Sequence, residues 1–429
     1  MKPSNPQPTS PHTMGRARQM DLFLHVAATL SGANAPMTNR ELYAAVAQRA
    51  GITANQAQRS EPIGRAGIRR SVFQRQVRWA QQSLKVMGLA RHVKDKRAVW
   101  EWAKRDRKGL LTPLPGVALI AFSTRLGVAI WGDSLDVFRS MREPIALVLS
   151  SPPFPLSRPR DYGNPTEAEY VDFITVALEP LVRNLIPGGS ITLDLGQDIF
   201  IPGTPARSIY LERLVIALHD RLGLSLMDRL VWSNPSRPPG PVRWASIARN
   251  QLNASYQPIL WLTNDPTKVR ADNRRVLEPH SAKHQRLMTG GGEQRHGDYA
   301  DGAYTMRPGR FGNVTPGKIP RNVLQRGHRC ADTDAYRRDA AALGLPTHGA
   351  MMPLSIPDLL IRFLSEPGDL VVDPFAGSCT TAMAAQRLGR RWLCVERVLQ
   401  YLRAGAERFR LEDGFAMPTS VADLRGARA

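Results

Sequence analysis

Cysteines are scarce in this chain, which has only three among its 429 residues, namely Cys330, Cys379 and Cys394. Their positions lack the paired spacing that is typical of a zinc site or of a disulfide framework. The sequence therefore predicts no metal site. A reducing cytoplasm is the compartment in which we expect a chain with so little cysteine.

Long apolar runs are also missing from the sequence. No run approaches the roughly 18 residues that a membrane span needs, so we expect no membrane partner. The N-terminal stretch is polar and rich in proline, unlike a signal peptide, and reads MKPSNPQPTSPHT. We expect residues 1–19 to form a disordered tail.

Acidic residues are few relative to basic ones, with 37 Asp and Glu against 58 Lys and Arg and a net charge of +21. Such a balance favours a polyanionic partner, because neutralised phosphates release their counterions. Nucleic acid is the simplest partner of this kind, and a ribosome-associated or merely soluble basic protein is the alternative. The length fits two or three domains.

Residues 20–108 have an organisation of their own. Three helical patterns come first, MDLFLHVAATL, TNRELYAAVAQRAG and SVFQRQVRWAQQSLKVMG, and two strand-like pieces follow, LARHV and AVWEWA. Thr38 or Asn39 is the predicted N-cap of the second helix. Between residues 59 and 108 there are 15 basic and four acidic residues. Three helices and a basic hairpin are typical of a winged helix.

This N-terminal part resembles the winged-helix domain of Mrr-type restriction proteins, chiefly in GRAGIRRSVFQRQVRWAQQSLKVMGLA. The resemblance implies an accessory DNA-binding domain. A protein-interaction or dimerisation module is the alternative, since winged helices serve those roles as well.

Beyond a linker at residues 105–116, apolar runs alternate with helical patterns. Strands are predicted at VALIAF, GVAIWGDS, IALVL and SITLDLG, with a helix at EAEYVDFITVALEPLVRNL. The same rhythm returns after residue 355 in the helix IPDLLIRFLSE, the strand and turn DLVVDPFAGS, the helix TTAMAAQRLG and the strand RWLCVE. This alternation favours an α/β fold with a parallel or mixed sheet.

The interval 235–347 interrupts that rhythm, with many Pro, Gly, Asn and Arg residues and 18 Lys or Arg against nine Asp or Glu. Within it, a mobile loop is predicted for TGGGEQRHGDYADGAYTMRPGRFG. A long irregular basic insertion in an α/β domain is usually functional.

One motif that indicates chemistry is VVDPFAGSCTT, residues 371–381, an apolar strand that runs into a turn and then a helix. Glu396 ends the next strand, 19 residues after Gly377, where an acidic side chain can accept hydrogen bonds from a ribose. Cys379 and Thr381 stand where a dinucleotide fingerprint has glycines. The predicted ligand is therefore a nucleoside without phosphates, and S-adenosyl-L-methionine fits that description.

A second motif is SSPPFPL, residues 150–156, directly after the apolar run IALVL. The Ser151 hydroxyl and the Pro152 carbonyl can accept the protons of an exocyclic amine, since proline restricts the backbone on both sides. Phe154 could then stack on a base turned out of the double helix. A plain loop after a strand is the alternative.

Together these motifs resemble the β group of amino-methylating DNA methyltransferases, in which the catalytic motif precedes the cofactor motif. The Ser-Pro-Pro form is similar to the cytosine-N4 enzymes, whereas adenine-N6 enzymes usually have Asp-Pro-Pro-Tyr. The likeness covers residues 115–408 and includes GDSLDVF, IPGGSITLDLG, VWSNPSRPPGPVRW and HGAMMPLSIPDLLIRF. It implies a Rossmann-like S-adenosylmethionine-dependent methyltransferase fold with a circularly permuted motif order.

The resemblance also implies domain boundaries and functional residues. It implies a catalytic half at 115–234, a target-recognition region at 235–347, a cofactor-binding half at 348–412 and a tail at 413–429. Asp194 is implied to assist the catalytic serine, with a buried structural carboxylate as the alternative. The implied catalytic residues are Ser151, Pro152, Pro153, Phe154 and Asp194, and the implied cofactor-binding residues are Asp133, Asp373, Phe375, Gly377, Ser378, Thr380 and Glu396.

Two positions depart from the family pattern. Cys379 stands where a Gly or Asn is usual, and Met352 stands where the family has Phe. Either departure could weaken cofactor binding.

The expected function is methyl transfer from S-adenosylmethionine to the N4 amino group of a cytosine flipped out of double-stranded DNA, without a metal. The resemblance implies a restriction-modification system in a bacterial cytoplasm, next to the nucleoid. It also implies a palindromic target such as CAGCTG and a restriction endonuclease that acts on the same site. Adenine-N6 methylation, RNA methylation and a non-catalytic DNA-binding protein on the same fold are the alternatives, and Cys379 favours the last.

Overall fold

The computed structural model describes residues 22–23, 25–30, 32–33, 35–63, 68–86, 90–93, 96–102, 110–113, 115–156, 160, 163–418 and 421. The tail predicted at 1–19 and much of the predicted linker lie outside these residues. Among the described residues, no helix combines the length and the apolar character that crossing a membrane requires.

The N-terminal part combines helices with two small antiparallel sheets. The described residues of the first predicted helix, 22–23 and 25–30, are helical, and three further helices follow in the described chain. One sheet has the strand order β1-β5-β4, and the other pairs β2 with β3. The elements are β1 (Met37–Thr38), α1 (Asn39–Arg49), α2 (Ala54–Gln58), β2 (Ser60–Ile63), β3 (Ile68–Ser71), α3 (Val72–Val86), β4 (Ala90–His92) and β5 (Val99–Trp102).

Local sequence signals explain the helices of this part. Thr38 is the N-cap of α1, because its hydroxyl accepts the Glu41 N–H while the Glu41 carboxylate accepts the Thr38 N–H at 2.7 Å. Apolar residues of α3 at helical spacing, among them Val77 and Leu84, are fully buried. The β2–β3 pair was not predicted, since its residues, such as Arg69, show no apolar alternation.

The larger part is built on a nine-stranded mixed sheet with the order β14-β10-β11-β9-β8-β15-β16-β7-β6. The strands from β9 to β7 in this order run parallel, while β6, β10 and β11 pair antiparallel with their neighbours as β6–β7, β10–β11 and β11–β9. The strands are β6 (Leu119–Ser123), β7 (Gly127–Trp131), β8 (Ile145–Ser150), β9 (Leu185–Asp194), β10 (Ser225–Ser233), β11 (Tyr256–Thr263), β14 (Val323–Gln325), β15 (Leu370–Asp373) and β16 (Arg391–Glu396).

Helices cover both faces of this sheet, so its central strands are buried on both sides. Every residue of β8 and of β15 is buried, which explains their continuous apolar sequences. The described helices of the larger part are α4 (Ser134–Phe138), α5 (Glu167–Val182), α6 (Tyr210–Leu222), α7 (Ala282–Thr289), α8 (Ala331–Ala342), α9 (Ser355–Leu364), α10 (Thr380–Arg387) and α11 (Leu399–Gly405), of which α7 has no buried residue. The α/β class and the mixed sheet are as predicted.

The interval 235–347 is more ordered than its sequence suggests. β11 lies inside the sheet between β10 and β9, and β14 pairs with β10 at the edge. The segment 289–312, predicted as a mobile loop, contains the hairpin of β12 (Gly297–Tyr299) and β13 (Tyr304–Met306). Strands of three residues are too short to show alternation, and Pro258 interrupts the pattern of β11.

Near the C-terminal end of the described chain, the backbone pairs with the edge of the sheet. Ala416 and Ser123 exchange backbone hydrogen bonds of 2.8 and 2.9 Å. The predicted tail at 413–429 therefore begins with residues that pair beside the edge strand β6.

Gly127 is a point where the sheet leaves no room for a side chain. A Cβ at Gly127 would lie 2.2 Å from the Trp392 carbonyl oxygen. The Trp392 ring is buried and its N–H donates to the Gln386 amide oxygen at 2.7 Å, so it cannot move aside freely. We expect Gly127→Ala to lower the free energy of unfolding by about 3 kcal/mol through overpacking.

The measurement is urea denaturation followed by circular dichroism. Gly32→Ala is the control, because a Cβ at Gly32 would meet nothing within 4 Å. Equal denaturation midpoints for the two variants would contradict the expectation.

Candidate active site

One cavity of about 1220 Å³ opens at the carboxyl ends of the parallel strands, the edge at which open α/β sheets bind ligands. Many of the predicted residues line it together. They are Asp133, Ser151, Pro152, Pro153, Phe154, Asp194, Phe375 and Glu396. The predicted residues Asp373, Gly377, Ser378 and Thr380 lie behind this lining and support it.

A buried hydrogen bond joins the two motif segments. The Ser150 hydroxyl, at the end of β8, donates to the Asp373 carboxylate, at the end of β15, at 2.6 Å. The same carboxylate oxygen accepts the Phe375 N–H at 3.0 Å. Burial raises the pKa of Asp373 to about 6, and these two hydrogen bonds oppose the rise. The Ser-Pro-Pro segment thus starts directly beside the loop at residues 374–379, which the sequence predicts to bind the cofactor and which is called here the cofactor loop.

The Phe154 ring is held in place by its neighbours. A Cβ on Gly196 would lie 2.8 Å from that ring, so the glycine lets the loop after β9 approach it. The Asn164 amide donates to the Phe154 carbonyl at 2.6 Å. The aromatic side chain that the sequence predicts as a stacking platform is therefore partly buried at the cavity wall.

Ser151 and Asp194 form a pair at the cavity floor. The Ser151 side chain hydrogen-bonds the Asp194 carboxylate, and the Gln257 amide donates to Asp194 Oδ1 at 3.4 Å. Burial raises the pKa of Asp194 to about 7, while the Ser151 hydrogen bond lowers it in part. A carboxyl group that titrates near neutral pH next to a hydroxyl can accept a proton from that hydroxyl.

The cofactor loop folds over the Glu396 carboxylate. Glu396 Oε2 accepts the Gly377 N–H at 2.8 Å, and Oε1 accepts the Val398 N–H at 2.8 Å. Burial raises the pKa of Glu396 to about 7, and the two N–H groups lower it in part. The Arg397 N–H is a further donor to this carboxylate. An ionised carboxylate has about four acceptor sites, so Glu396 keeps some capacity for ligand hydroxyl groups.

Cys379 occupies a left-handed backbone position directly before α10, with φ of +62°. Only Gly and, less often, Asn adopt this conformation readily, and another residue costs about 1–2 kcal/mol there. The Cys379 side chain is fully buried, and its Sγ lies 3.9 Å from Sγ of Cys394. The backbone thus explains why Gly or Asn would be usual at this position, and it tolerates the cysteine.

The side chains of Ser378 and Thr380 hydrogen-bond each other, and Thr380 is also bound by an arginine from another part of the chain. Their hydroxyl groups lie 3.1 Å apart, and Arg408 donates to Thr380 Oγ1 at 3.0 Å. Arg408 is 3% exposed and pairs with Asp332, the second residue of α8, at 3.3 Å. A helix from the interval 235–347 therefore supports the cofactor loop, which the sequence did not suggest.

Asp133 caps α4 at the cavity edge. Its Oδ1 accepts the Leu135 N–H at 3.0 Å, and its Oδ2 lies 3.7 Å from Arg397 Nε. The structure thus brings Asp133 to the same cavity as Glu396, the residue before Arg397.

Sequence reasoning missed several lining residues on β10 and β11 and after β14. They include Trp232, Gln257 and His328. Trp232 is buried, its N–H donates to the Arg326 carbonyl at 2.9 Å, and the His328 ring lies parallel to it at 6.2 Å between centroids. The only signal in the sequence was that VWSNPSRPPGPVRW belongs to the family likeness, without a role for any residue.

Comparison with known proteins agrees with this geometry. A family model with the description "DNA methylase", N6_N4_Mtase, matches residues 145–407. The type II methyltransferase M.PvuII of Proteus hauseri is 34% identical over 298 residues, which are 67% of this chain and 85% of that protein. The DNA adenine methyltransferase YhdJ of Escherichia coli (strain K12) is 22% identical over 290 residues, 67% of this chain and 84% of that one.

A solved structure shares the fold. It is the PvuII DNA methyltransferase (cytosine-N4-specific), which superposes with a TM-score of 0.54 at 30% identity and covers 70% of this chain and 92% of its own. The match of the family model spans more than half of the sequence and includes both motif segments. The chain therefore belongs to the N6_N4_Mtase family of DNA methylases.

Proposed function

We propose that this protein transfers a methyl group from S-adenosylmethionine to the N4 amino group of cytosine in double-stranded DNA. The observation that carries the proposal is a single cavity with two kinds of lining. Ser151 to Phe154 line one part of it, and Phe375 and Glu396, which follow β15 and end β16, line another. Ser151 favours cytosine over adenine, and the relative with a solved structure is named as cytosine-N4-specific.

The lining of the cavity fits an S-adenosyl cofactor. Glu396 lines the cavity and is the predicted acceptor for ribose hydroxyl groups, and Asp133 lies at the same edge for an adenine amine. The ring of Phe375 packs against Phe173 at 5.6 Å and forms an apolar wall. A volume of about 1220 Å³ exceeds the space that one drug-sized ligand needs, so a cofactor and a flipped base fit side by side.

The chain's own residues position the reacting amine. S-adenosylmethionine, when bound, supplies an electrophilic methyl carbon on a sulfonium. Ser151 Oγ and the Pro152 carbonyl accept the N4 protons and so orient the nitrogen lone pair, while Phe154 stacks on the base. The amine loses a proton when it is methylated, and that proton would pass through Ser151 to Asp194 or to water.

DNA recognition is assigned to the part of 235–347 that lies outside the sheet. The β12–β13 hairpin presents Tyr299 and Tyr304 with about half of each side chain exposed. The interval has an excess of basic residues, which suits phosphate contacts and hydrogen bonds to base edges. By the same resemblance, the catalytic half at 115–234 and the cofactor half at 348–412 form a circularly permuted Rossmann-like domain.

The N-terminal part is assigned an accessory DNA-binding role as a winged helix. Its helices and its β1-β5-β4 sheet suit that fold, and Arg75 and Arg78 are exposed on α3. Exposed arginines on one helix provide phosphate contacts that do not depend on sequence.

A cellular setting follows from the same proposal. The protein would modify DNA in a bacterial cytoplasm, next to the nucleoid. A restriction endonuclease that cuts the same site would be its cognate partner.

The base that receives the methyl group tests the proposal directly. We expect DNA from a host that expresses the protein, and a duplex containing CAGCTG, to yield N4-methylcytosine. Digestion to nucleosides followed by mass spectrometry distinguishes this product from N6-methyladenine. N6-methyladenine would instead favour the adenine activity named for the Escherichia coli relative, and no methylated base would overturn the catalytic proposal.

Replacing the catalytic hydroxyl separates chemistry from cofactor binding. We expect Ser151→Ala to lower the single-turnover rate at least about 100-fold, because the amine loses a proton acceptor. The dissociation constant for S-adenosylmethionine, measured by calorimetry, should stay within about twofold, since Glu396 and its partners are untouched. Ser225→Ala, at the far end of β10, is the control, and retained turnover in Ser151→Ala would remove the serine from the mechanism.

The Asp194 carboxyl predicts a pH dependence. Its ionised form accepts the proton and its pKa is about 7, so the rate should rise between about pH 6 and 8 and then level off. The measurement uses saturating cofactor and DNA, so that titration of Glu396 does not limit binding. Asp194→Asn should be slow and lose the rise, whereas an unchanged rise in that variant would exclude the assigned role.

A further inference from the structure

The loop between β10 and β11 is unusually long for consecutive antiparallel strands. It contains the 22 residues from 234 to 255, whereas hairpin loops commonly have two to five. Loops of this length are usually functional. This segment, called here the β10–β11 loop, lies almost wholly in the interval assigned to DNA recognition, but none of its residues has been given a specific role.

The base of the β10–β11 loop borders the candidate active site. Asn234, Ser236, Arg237 and Pro238 line the same cavity as Ser151. The loop therefore rises from the cavity rim, where duplex DNA must lie if one of its bases is to enter.

Several hydrogen bonds hold the loop in one conformation. The Asn234 N–H donates to the Ser255 carbonyl at 2.8 Å, and the Ala254 N–H donates to the Gly240 carbonyl at 2.7 Å. The Gln251 side chain donates to the Pro205 carbonyl at 3.1 Å. A π-helical turn at Val242–Ile247 shapes the tip. These hydrogen bonds therefore hold the π-helical turn in a defined position relative to β10 and β11.

The β10–β11 loop exposes apolar side chains to solvent. Val242 is 58% exposed, Ile247 75% and Leu252 89%. The loop also has three arginines, Arg237, Arg243 and Arg249, and no acidic residue. Exposed aliphatic groups in an ordered basic loop suit a partner that combines negative charge with an apolar interior. Duplex DNA has both, in its phosphates and its stacked bases.

We propose that the β10–β11 loop, with its exposed side chains Ile247 and Leu252, inserts into the duplex at the target base pair and occupies the space that the flipped base leaves. This inference rests on the proposed function. Arg243 and Arg249, both exposed, contact the flanking phosphates. The aliphatic side chains offset the lost stacking, and the base that leaves enters the adjoining cavity.

The test compares Ile247→Ser/Leu252→Ser with Ile216→Ser/Leu411→Ser in the full chain. The control also removes two exposed aliphatic side chains, on α6 and near the C-terminal end. One DNA substrate is a paired duplex, the second has the target cytosine mispaired with adenine, and a third has 2-aminopurine at the target position. All of them contain the sequence that the native protein modifies, or CAGCTG if it modifies none.

We expect the loop variant to methylate the paired duplex at least about tenfold more slowly than the native protein in single turnover. The mispaired duplex should restore its rate to within about twofold, because a mispaired base is easier to extrude. The fluorescence rise of 2-aminopurine on binding should be lost in the loop variant and kept in the control. Binding of S-adenosylmethionine should be unchanged in both.

A loop variant that is equally slow on both duplexes, or as fast as the control, overturns the insertion. If the native protein methylates nothing but raises 2-aminopurine fluorescence, and the loop variant loses that rise, the proposed function is overturned and the insertion is supported. If the loop variant and the native protein give the same fluorescence rise, the proposed role of the β10–β11 loop is rejected, whatever the methylation result.

Discussion

The hydrogen bond from Ser150 to Asp373 is the contact on which the arrangement of this protein depends. It joins residues 223 positions apart in the chain and fixes the ends of two adjacent parallel strands at 2.6 Å. One segment then leaves the sheet as the Ser-Pro-Pro-Phe turn and the other as the cofactor loop. Because both strands are buried on both faces, neither end can shift without disturbing the core.

Three carboxylates are buried at the active-site edge of the sheet, although the protein as a whole is strongly basic. Asp194, Asp373 and Glu396 all have pKa values raised by burial, and each is opposed by hydrogen bonds from neighbouring groups. Such groups disfavour folding in their ionised form, so their presence points to function more than to stability. Their position at one sheet edge concentrates acceptors where the proposed function requires an amine and a ribose to be held.

The sequence predicted the class of the fold and most strands and helices of the larger part. Buried parallel strands leave long apolar runs, and α5, α9 and α10 follow patterns that local physics explains. It failed between residues 235 and 347, where β11 enters the sheet with Pro258 in its middle and α8 supports Thr380 through Arg408. These elements owe their stability to distant partners, and their own sequences show weak periodicity.

The proposed chemistry of the site was inferred largely from short local motifs. Proline restricts its own backbone, serine and glutamate offer fixed acceptors, and the turn at Gly377 is a local conformation, so these properties could be inferred from the residues alone. Only the tertiary structure decided that Asp194 and Gln257 meet, that Cys379 takes a left-handed backbone, and that the β10–β11 loop rises beside the cavity. Those features arise from desolvation and from contacts between distant segments, which no local pattern of residues encodes.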